Sequence, residues 1–404
     1  MQVKRKRQKK LPPQFSSPLL PENFTVCRCS VGRGEAAIRI LIMRVGAHGD
    51  ILMGTPLLAA LRAHYPQAHL TWLVEYNERG AIEANPYVDE VLLWDSGYFK
   101  RFMRKANYPL WLIRALQFRA ELRQRRYDIF ISFQPEEWPL LIQGVGAPVT
   151  IGIFDTFRQF TGAVRTSRYA RFYSHPFQYS DLPPHRTDQY LLPLKALELP
   201  EATDKRMQMG YTAGDAQAAS DFLQASGLTP GQPFVALAPM TTWLSRCWPG
   251  ECYAELGDAL AARAGCSMVI IGSAHKQEQE AIVAIAARMR TPPILATGVL
   301  TFRQMAALIA RSSLLISGDT GPMHVAAAVG TPYLALFGPT PVAGRVPLAG
   351  PGRALWHPVP CGPCDQKVCP NVGDDYMRCM KLLTVEEALE AAESLLKVAV
   401  FSRA

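Results

Sequence analysis

Short apolar runs alternate along the chain with stretches whose apolar residues recur every three to four positions. The short runs are typical of strands buried on both faces of a parallel sheet, and the longer stretches are typical of helices that cover such a sheet. Because the alternation occurs in two series, it predicts an α/β fold with two Rossmann-like domains whose parallel sheets face each other across a cleft. The predicted strands are residues 38–45, 69–74, 90–94, 129–133, 150–152, 234–238, 267–271, 314–316 and 333–337. The predicted helices are residues 51–64, 99–126, 215–226, 251–264, 277–290, 301–311, 322–330 and 385–398.

The predicted domains divide the 404 residues into a leader, 1–36, an N-terminal domain, 37–205, and a C-terminal domain, 206–404. The prolines and polar residues of 174–200 predict the end of the first domain and the approach to a linker. The first ten residues include six of the basic residues behind the net charge of +9. We expect the leader to be a disordered tail, and its alternative is a segment that binds nucleic acid or anionic lipid. It lacks the apolar core of a signal peptide, so we expect a cytoplasmic protein.

The stretch 314–338 predicts an anion site at the carboxyl edge of the second sheet. A buried strand is followed by a small polar turn and a short helix, so backbone N–H groups of Thr320 and Gly321 and the positive end of the helix dipole face one point. Asp319, immediately before this turn, can bind sugar hydroxyls, and His324 lies one turn into the helix. The alternative is that Asp319 caps the helix and His324 is an ordinary buried histidine.

Polar residues also follow three other predicted strands. Asp50 is suited to cap the helix that follows it, which local sequence favours, or to act as a general base facing the cleft. Thr241, Thr242 and Arg246 offer hydroxyls and a planar cation suited to a diphosphate, although Arg246 could equally be a surface residue beside a structural Trp-Pro helix start. Ser273 lies in a further turn that could contact phosphate or ribose.

Four of the nine cysteines lie within the loop 361–379. Cys361, Cys364, Cys369 and Cys379 have the spacing C-x2-C-x4-C-x9-C, which can hold zinc or iron tetrahedrally. The alternative is a set of free or packed thiols. A metal in this loop would have a structural role.

Several of these motifs together resemble glycosyltransferase family nine, the ADP-heptose:lipopolysaccharide heptosyltransferases and their relatives. The resemblance rests on residues 317–328, on residues 40–55 with His48-Gly49-Asp50, on residues 241–249 and on the Cys-rich loop, and it extends from about residue 38 onward. It implies a GT-B fold, with the acceptor bound mainly by the N-terminal domain and the nucleotide-sugar donor mainly by the C-terminal one. It also implies transfer with inversion and without a catalytic metal or other cofactor. Related protein heptosyltransferases bind iron at such a cysteine cluster.

The resemblance also implies roles for single residues. Asp50 matches the general base of the family, which reverses the local preference for a cap. Thr241 and Arg246 match contacts to the diphosphate, and the donor-sugar and phosphate site matches Asp319, Thr320, Gly321 and His324. This chain has Arg246 where lysine is common. It also lacks an acidic residue directly after Gly272 that contacts adenosine in some members.

The resulting prediction is an inverting glycosyltransferase that moves a heptose or related sugar from an ADP-sugar to a hydroxyl of a lipopolysaccharide core or another cell-envelope glycan. The alternatives are a nucleotide-sugar epimerase or hydrolase of the same fold, and a non-catalytic nucleotide-sugar-binding protein. The expected partners are ADP-heptose, a glycan or glycolipid acceptor and the cytoplasmic face of the inner membrane, the last through peripheral association. We expect no nucleic acid partner.

Overall fold

The computed structural model describes residues 37–95, 108–133, 144–153, 170–177 and 182–403. The predicted leader 1–36 and the first part of the predicted helix 99–126 lie outside these ranges. Within them, no helix is both long and apolar enough to cross a bilayer.

Two parallel sheets organise the described part of the chain, as the alternating pattern predicts. The first has the strand order β3-β2-β1-β4-β5-β6 and the second β12-β11-β10-β7-β8-β9. The direction in which strands are added changes between β1 and β4 in the first sheet and between β7 and β10 in the second, in the middle of each sheet. In the first sheet Ile42 pairs with Trp72 on one side and Ile131 on the other. The strands are β1 Arg39–Met43, β2 His69–Glu75, β3 Glu90–Trp94, β4 Ile129–Ser132, β5 Val149–Ile153, β6 His175–Phe177, β7 Phe234–Ala238, β8 Ser267–Gly272, β9 Ile294–Thr297, β10 Leu314–Gly318, β11 Tyr333–Leu336 and β12 Gly352–Leu355.

Helices connect these strands and cover both sheets. They are α1 His48–His64, α2 Tyr108–Gln124, α3 Arg186–Ala196, α4 Ala213–Ala225, α5 Gly250–Ala264, α6 Lys276–Ala286, α7 Phe302–Arg311, α8 Gly321–Val329, α9 Val342–Arg345, α10 Arg378–Lys381 and α11 Val385–Arg403. The central strands are buried along their whole length, which explains why their sequences are continuously apolar.

Helices α1 and α8 pack against each other and join the two domains. One cluster of buried apolar side chains contains members of both sheets and of both helices. At the rim of this contact the His48 ring stacks on Phe302 with centroids 3.8 Å apart, and Arg303 Nη1 lies 3.0 Å from Glu83 Oε1. The carboxyl ends of β1 and β10 therefore lie at the same interface.

Residues 174–200 contain a strand and a helix that the sequence does not predict, and residues 199–212 form no helix or strand before the second series begins. The segment 174–200 contains β6, which adds a strand to the first sheet, and α3, which packs against α1. Its prolines are compatible with these elements because Pro176 lies on a three-residue edge strand and only Pro193 interrupts the helix. Strands β9 and β12 were also missed. Both are four-residue strands whose side chains are only partly buried, so they lack a strong apolar pattern.

Candidate active site

Asp50 lies in the first turn of α1, directly after β1. The N-cap of this helix is Ala47, so the Asp50 carboxylate does not cap it. Instead, Arg44 Nη2 donates to Asp50 Oδ2 at 2.6 Å, and the Tyr190 hydroxyl of α3 donates to Oδ1 at 3.2 Å. The geometry thus excludes the capping interpretation that local sequence favours and leaves the carboxylate oriented by two side chains.

The charges around Asp50 keep it ionised. Burial works to raise the pKa of this carboxyl, but the guanidinium groups of Arg44, Arg186 and Arg345 outweigh burial and lower the pKa to about 2. Arg345 belongs to the C-terminal domain, so part of this field comes from across the interface. At neutral pH the side chain is therefore a carboxylate that can accept a proton.

The turn after β10 places Asp319 opposite α1. Its side chain is 4% exposed, and its Oδ2 lies 3.3 Å from Arg246 Nη1. Helix α8 begins at Gly321 with Thr320 as its N-cap, so Asp319 does not cap this helix either. The Arg246 guanidinium lies 3.7 Å over the ring of Trp243, and Thr241 Oγ1 donates to the Trp243 carbonyl at 2.6 Å. Thr242 is exposed beside them.

His324 lies between this turn and α1. A Cβ built on Gly49 would be 2.7 Å from His324 Cδ2, and one on Gly321 would be 3.9 Å from His48 Cβ, so the two turns face each other closely. Burial lowers the pKa of His324 to about 4, and its Nδ1 has no hydrogen-bond partner among the described residues. A buried polar atom without a partner is unusual, and here it lies beside the predicted donor motif. His324 is neutral at pH 7 and offers hydrogen bonding rather than positive charge.

The family model for glycosyltransferase family 9 (heptosyltransferase) matches residues 115–373, which is more than half of the chain. The chain belongs to glycosyltransferase family 9. It is a glycosyltransferase, and the two facing parallel domains are the GT-B fold that the sequence predicts.

Individual proteins similar to this glycosyltransferase share about a quarter of its sequence. Lipopolysaccharide heptosyltransferase 3 of Escherichia coli is 27% identical over 298 residues, which are 72% of this chain and 81% of that protein. A family 9 glycosyltransferase structure from Veillonella parvula DSM 2008 has a TM-score of 0.73 at 23% identity, covering 89% of this chain and 97% of that one. The structure of E. coli ADP-heptose lps heptosyltransferase II has a TM-score of 0.67 at 22% identity, covering 91% and 100%.

Ser273 lies farther along the edge of the second sheet of this glycosyltransferase. Its backbone N–H donates to Glu278 Oε1 at 3.0 Å, and its hydroxyl donates to the other carboxylate oxygen. Sequence reasoning noted the absence of an acidic residue directly after Gly272. The fold supplies a carboxylate at that turn from the first turn of α6, five residues beyond Ser273.

The cysteine loop packs against the segment that carries Arg246. Cys361, Cys364, Cys369 and Cys379 are free thiols that line one pocket, and burial together with the three neighbouring sulfur atoms raises the pKa of Cys379 to about 11. Among the described residues, however, no three His, Cys, Asp or Glu side chains are arranged to hold a metal ion. The predicted zinc or iron site does not fit this arrangement. The loop is attached instead by Ser245 Oγ, which donates to the Gln366 carbonyl at 2.5 Å.

Four further residues, which the sequence does not identify as candidates, lie against Asp50, Asp319 or Arg246 in this family 9 member: Arg44, Tyr190, Arg345 and Asp365. Tyr190 lies in the stretch 174–200, which the sequence predicts to end the first domain, and Arg44 lies in the predicted strand 38–45. Arg345 follows no strand and belongs to no recognised motif, and Asp365 lies within the cysteine motif, which the sequence associates with a metal, so only the folded chain places them beside Arg246. Of these four, only Arg44 has a recognisable signal in the sequence, because it is a cation at the end of a predicted strand and six residues before Asp50.

Proposed function

We propose that this protein is an inverting heptosyltransferase. It moves a heptose or related sugar from an ADP-sugar to a hydroxyl of a lipopolysaccharide core or another cell-envelope glycan. Membership of glycosyltransferase family 9 supports sugar transfer. The names of two similar E. coli proteins, lipopolysaccharide heptosyltransferase 3 and ADP-heptose lps heptosyltransferase II, support the choice of donor and acceptor.

The observation that carries the proposal is the ionised, half-buried carboxylate of Asp50 on α1, the helix that packs against α8 and its donor motif in the other domain. In the proposed reaction, the acceptor hydroxyl oxygen attacks the anomeric carbon while the bond from that carbon to the diphosphate oxygen breaks and its electron pair leaves with the diphosphate. The hydroxyl proton passes to Asp50. Attack from the face opposite the leaving group inverts the anomeric centre.

The low pKa of Asp50 sets when the proton moves. An alcohol is far less acidic than this carboxyl, so transfer becomes favourable only as the new C–O bond forms and the oxygen gains positive charge. Arg44 and Tyr190 occupy one side of the carboxylate and fix its direction. In this proposal Asp50 is therefore a well-oriented acceptor that acts late, and it does not form an alkoxide in advance.

The C-terminal domain binds the donor in this proposal. Arg246 balances the charge that develops on the leaving diphosphate, so no metal ion takes part in the step. His324, which is neutral, and the buried Asp319 hydrogen-bond the sugar. Glu278, held by Ser273, lies where a carboxylate can accept hydrogen bonds from the nucleoside ribose. The remaining diphosphate contacts are assigned to Thr241, Thr242, Thr320 and Gly321.

Helix α2 supports peripheral association with an anionic membrane. It exposes Leu112, Ile113 and Leu116 to about half of their full extent, although large apolar side chains are rarely grouped on a free surface. Arg114 is exposed on the same helix, and further arginines follow toward its C-terminal end. Apolar side chains next to arginines suit the boundary of an anionic bilayer, where a glycolipid acceptor would be anchored.

Replacing Asp50 by asparagine tests the assignment of the base. We expect sugar transfer from ADP-heptose to fall by at least about a hundredfold, because a general base contributes roughly that much. ADP affinity should change little, since donor contacts lie in the other domain. The matched control is Asp89→Asn, which removes a carboxylate that also pairs with an arginine at 2.6 Å, away from the interface. Unchanged transfer by Asp50→Asn would remove the base assignment.

Omitting the acceptor separates transfer from the other functions. A transferase should consume ADP-heptose only when a glycan acceptor is present, and mass spectrometry of the products would identify the new glycoside. An epimerase or hydrolase would alter the sugar without acceptor. A binding protein would show affinity for the donor but no turnover with any acceptor in a broad panel.

A further inference from the structure

Two arginines and two carboxylates meet at the donor side of the interface. Arg345, at the end of α9, places its Nε 3.9 Å from Asp319 Oδ2 and its Nη2 3.5 Å from Asp365 Oδ1. Arg246 makes a parallel pair of contacts, with Nη1 3.3 Å from Asp319 Oδ2 and Nη2 3.9 Å from Asp365 Oδ1. The two guanidinium groups thus lie between the two carboxylates.

The two carboxylates differ in how firmly they are held. The Asp319 side chain is 4% exposed, whereas the Asp365 side chain is 48% exposed and belongs to the cysteine loop. Both contacts from Asp365 are longer than a hydrogen bond, so they are loose ion pairs that solvent screens. The buried Asp319 stays in contact with the arginines, and the exposed Asp365 is a partner that an incoming anion can replace.

The arginines need more anionic partners than the described protein supplies. Arg246 Nε is buried without a hydrogen-bond partner among the described residues. Burial lowers the pKa of Arg246, and the neighbouring charge of Arg345 lowers it further against the opposing effect of Asp319. Two like charges close together, one buried and one half-buried, favour a doubly charged anion between them.

The backbone presents Asp365 to this site. Its N–H donates to the Pro339 carbonyl at 2.8 Å, and its φ is +51°, a left-handed conformation that aspartate tolerates better than most residues. The next residue of the loop, Gln366, accepts the bond from Ser245, which is the neighbour of Arg246. The cysteine loop and the segment that carries Arg246 are therefore attached to each other, and this attachment keeps the Asp365 carboxylate near the arginines.

We propose that Asp365 substitutes for a phosphate of the donor. Before the donor binds, its carboxylate balances part of the charge of Arg246 and Arg345, and a phosphate oxygen then takes its place. This makes Arg345 the second cation of the diphosphate site. The inference rests on the proposed function only in taking a nucleoside diphosphate as the ligand of this site.

If a phosphate replaces Asp365, substitutions of Asp365 and of Arg345 should change ADP affinity in opposite directions. Removing the charge of Asp365 removes a competitor and a repulsive neighbour of the diphosphate, so Asp365→Asn should bind ADP about two- to fivefold more tightly, the range expected for a solvent-exposed ion pair. Removing Arg345 removes a charge-assisted bond to phosphate, so Arg345→Gln should weaken ADP binding by at least about tenfold. Both variants should bind adenosine like the wild type, because adenosine lacks the diphosphate.

Titration calorimetry on the full chain with ADP, adenosine and inorganic pyrophosphate tests this. The matched control for the carboxylate is Asp375→Asn, an exposed pair with Arg378 in the same loop, and the control for the cation is Arg353→Gln on β12. Arg345→Lys keeps the charge and provides a second variant in case Arg345→Gln fails to fold. It should bind ADP more tightly than Arg345→Gln does.

Equal or weaker ADP binding by Asp365→Asn, or unchanged ADP binding by Arg345→Gln, would overturn the inference while leaving sugar transfer untouched. If both variants bind ADP as expected but the protein transfers sugar to no acceptor, the proposed function is wrong and this inference still holds. If the wild type binds neither ADP nor pyrophosphate, both are wrong.

Discussion

Replacing His324 by asparagine should remove one defined contribution to the acid sensitivity of the fold. The imidazole is 4% exposed, and its Nδ1 has no hydrogen-bond partner among the described residues. Burial lowers its pKa from 6.5 to about 4. In the unfolded chain the same ring takes up a proton near pH 6.5, so stability is fully present above that pH and is lost as the pH falls toward 4.

The size of the effect follows from this difference in pKa. At pH 7.5 the ring is neutral in both states, and the linkage contribution is close to zero. At pH 5.0 the unfolded state is protonated and the folded state is not, which reduces the free energy of unfolding by about 2 kcal/mol. For a domain of roughly 200 residues, this corresponds to a lowering of the melting temperature by about 4–8 °C.

Differential scanning calorimetry at pH 7.5 and 5.0 measures the quantity directly and needs no substrate. Each protein is characterised by how far its melting temperature drops between pH 7.5 and pH 5.0. This drop should be smaller in His324→Asn than in the wild type, and the difference measures His324 because other titrating groups contribute equally to both. The exposed His275, substituted in the same way, is the matched control and should behave like the wild type.

Equal losses in the wild type and in His324→Asn would refute the reasoning, since His324 would then be protonated as easily in the folded protein as in the unfolded chain. Its role in the proposed function would change as well. A charged His324 would act on phosphate as a cation, whereas a neutral one hydrogen-bonds the sugar.

Two further predictions concern the domain contact and the surface of α2. Gly49→Ala places a Cβ 2.7 Å from His324 Cδ2, so the His324 ring or the turn that carries Asp50 must shift. The transfer rate should fall at least about tenfold while ADP affinity stays within about twofold. Parallel rate and binding measurements check this, and an equal loss of both would contradict it. The double variant Leu112→Gln, Ile113→Gln should sediment less with vesicles containing anionic lipid than the wild type does, at unchanged melting temperature, and equal sedimentation would exclude α2 as the membrane surface.

Much of the fold could be predicted because its strands are buried on both faces. Continuous apolar runs such as 129–133 and 314–316 are recognisable without knowing their neighbours, and the turns that follow them identify the edge where ligands bind. The same logic located Asp50 and Asp319, although their roles stay predictions, as does the domain boundary between residues 205 and 206. Elements with weaker burial, such as β6 and β9, were missed because their sequences have no comparable pattern.

The contacts made by these residues could not be predicted in the same way. Tyr190 reaches Asp50 from 140 positions away, and it does so because α3 packs on α1. The cysteine spacing suggested a metal, but spacing along a loop does not determine where the sulfur atoms point. The folded loop brings Asp365 to Arg246 and Arg345 instead.

The sequence by itself determined the alternation of strands and helices, the two parallel sheets and the polar turns at their carboxyl ends, because these depend on the order of apolar and polar residues along the chain. Only the tertiary structure decided that the pKa of Asp50 falls to about 2 and that of His324 to about 4. The physical reason is that a pKa depends on burial and on nearby charges. For Asp50 the charges come from Arg44, from Arg186 on α3 and from Arg345 across the interface, and His324 is buried where α8 packs against α1.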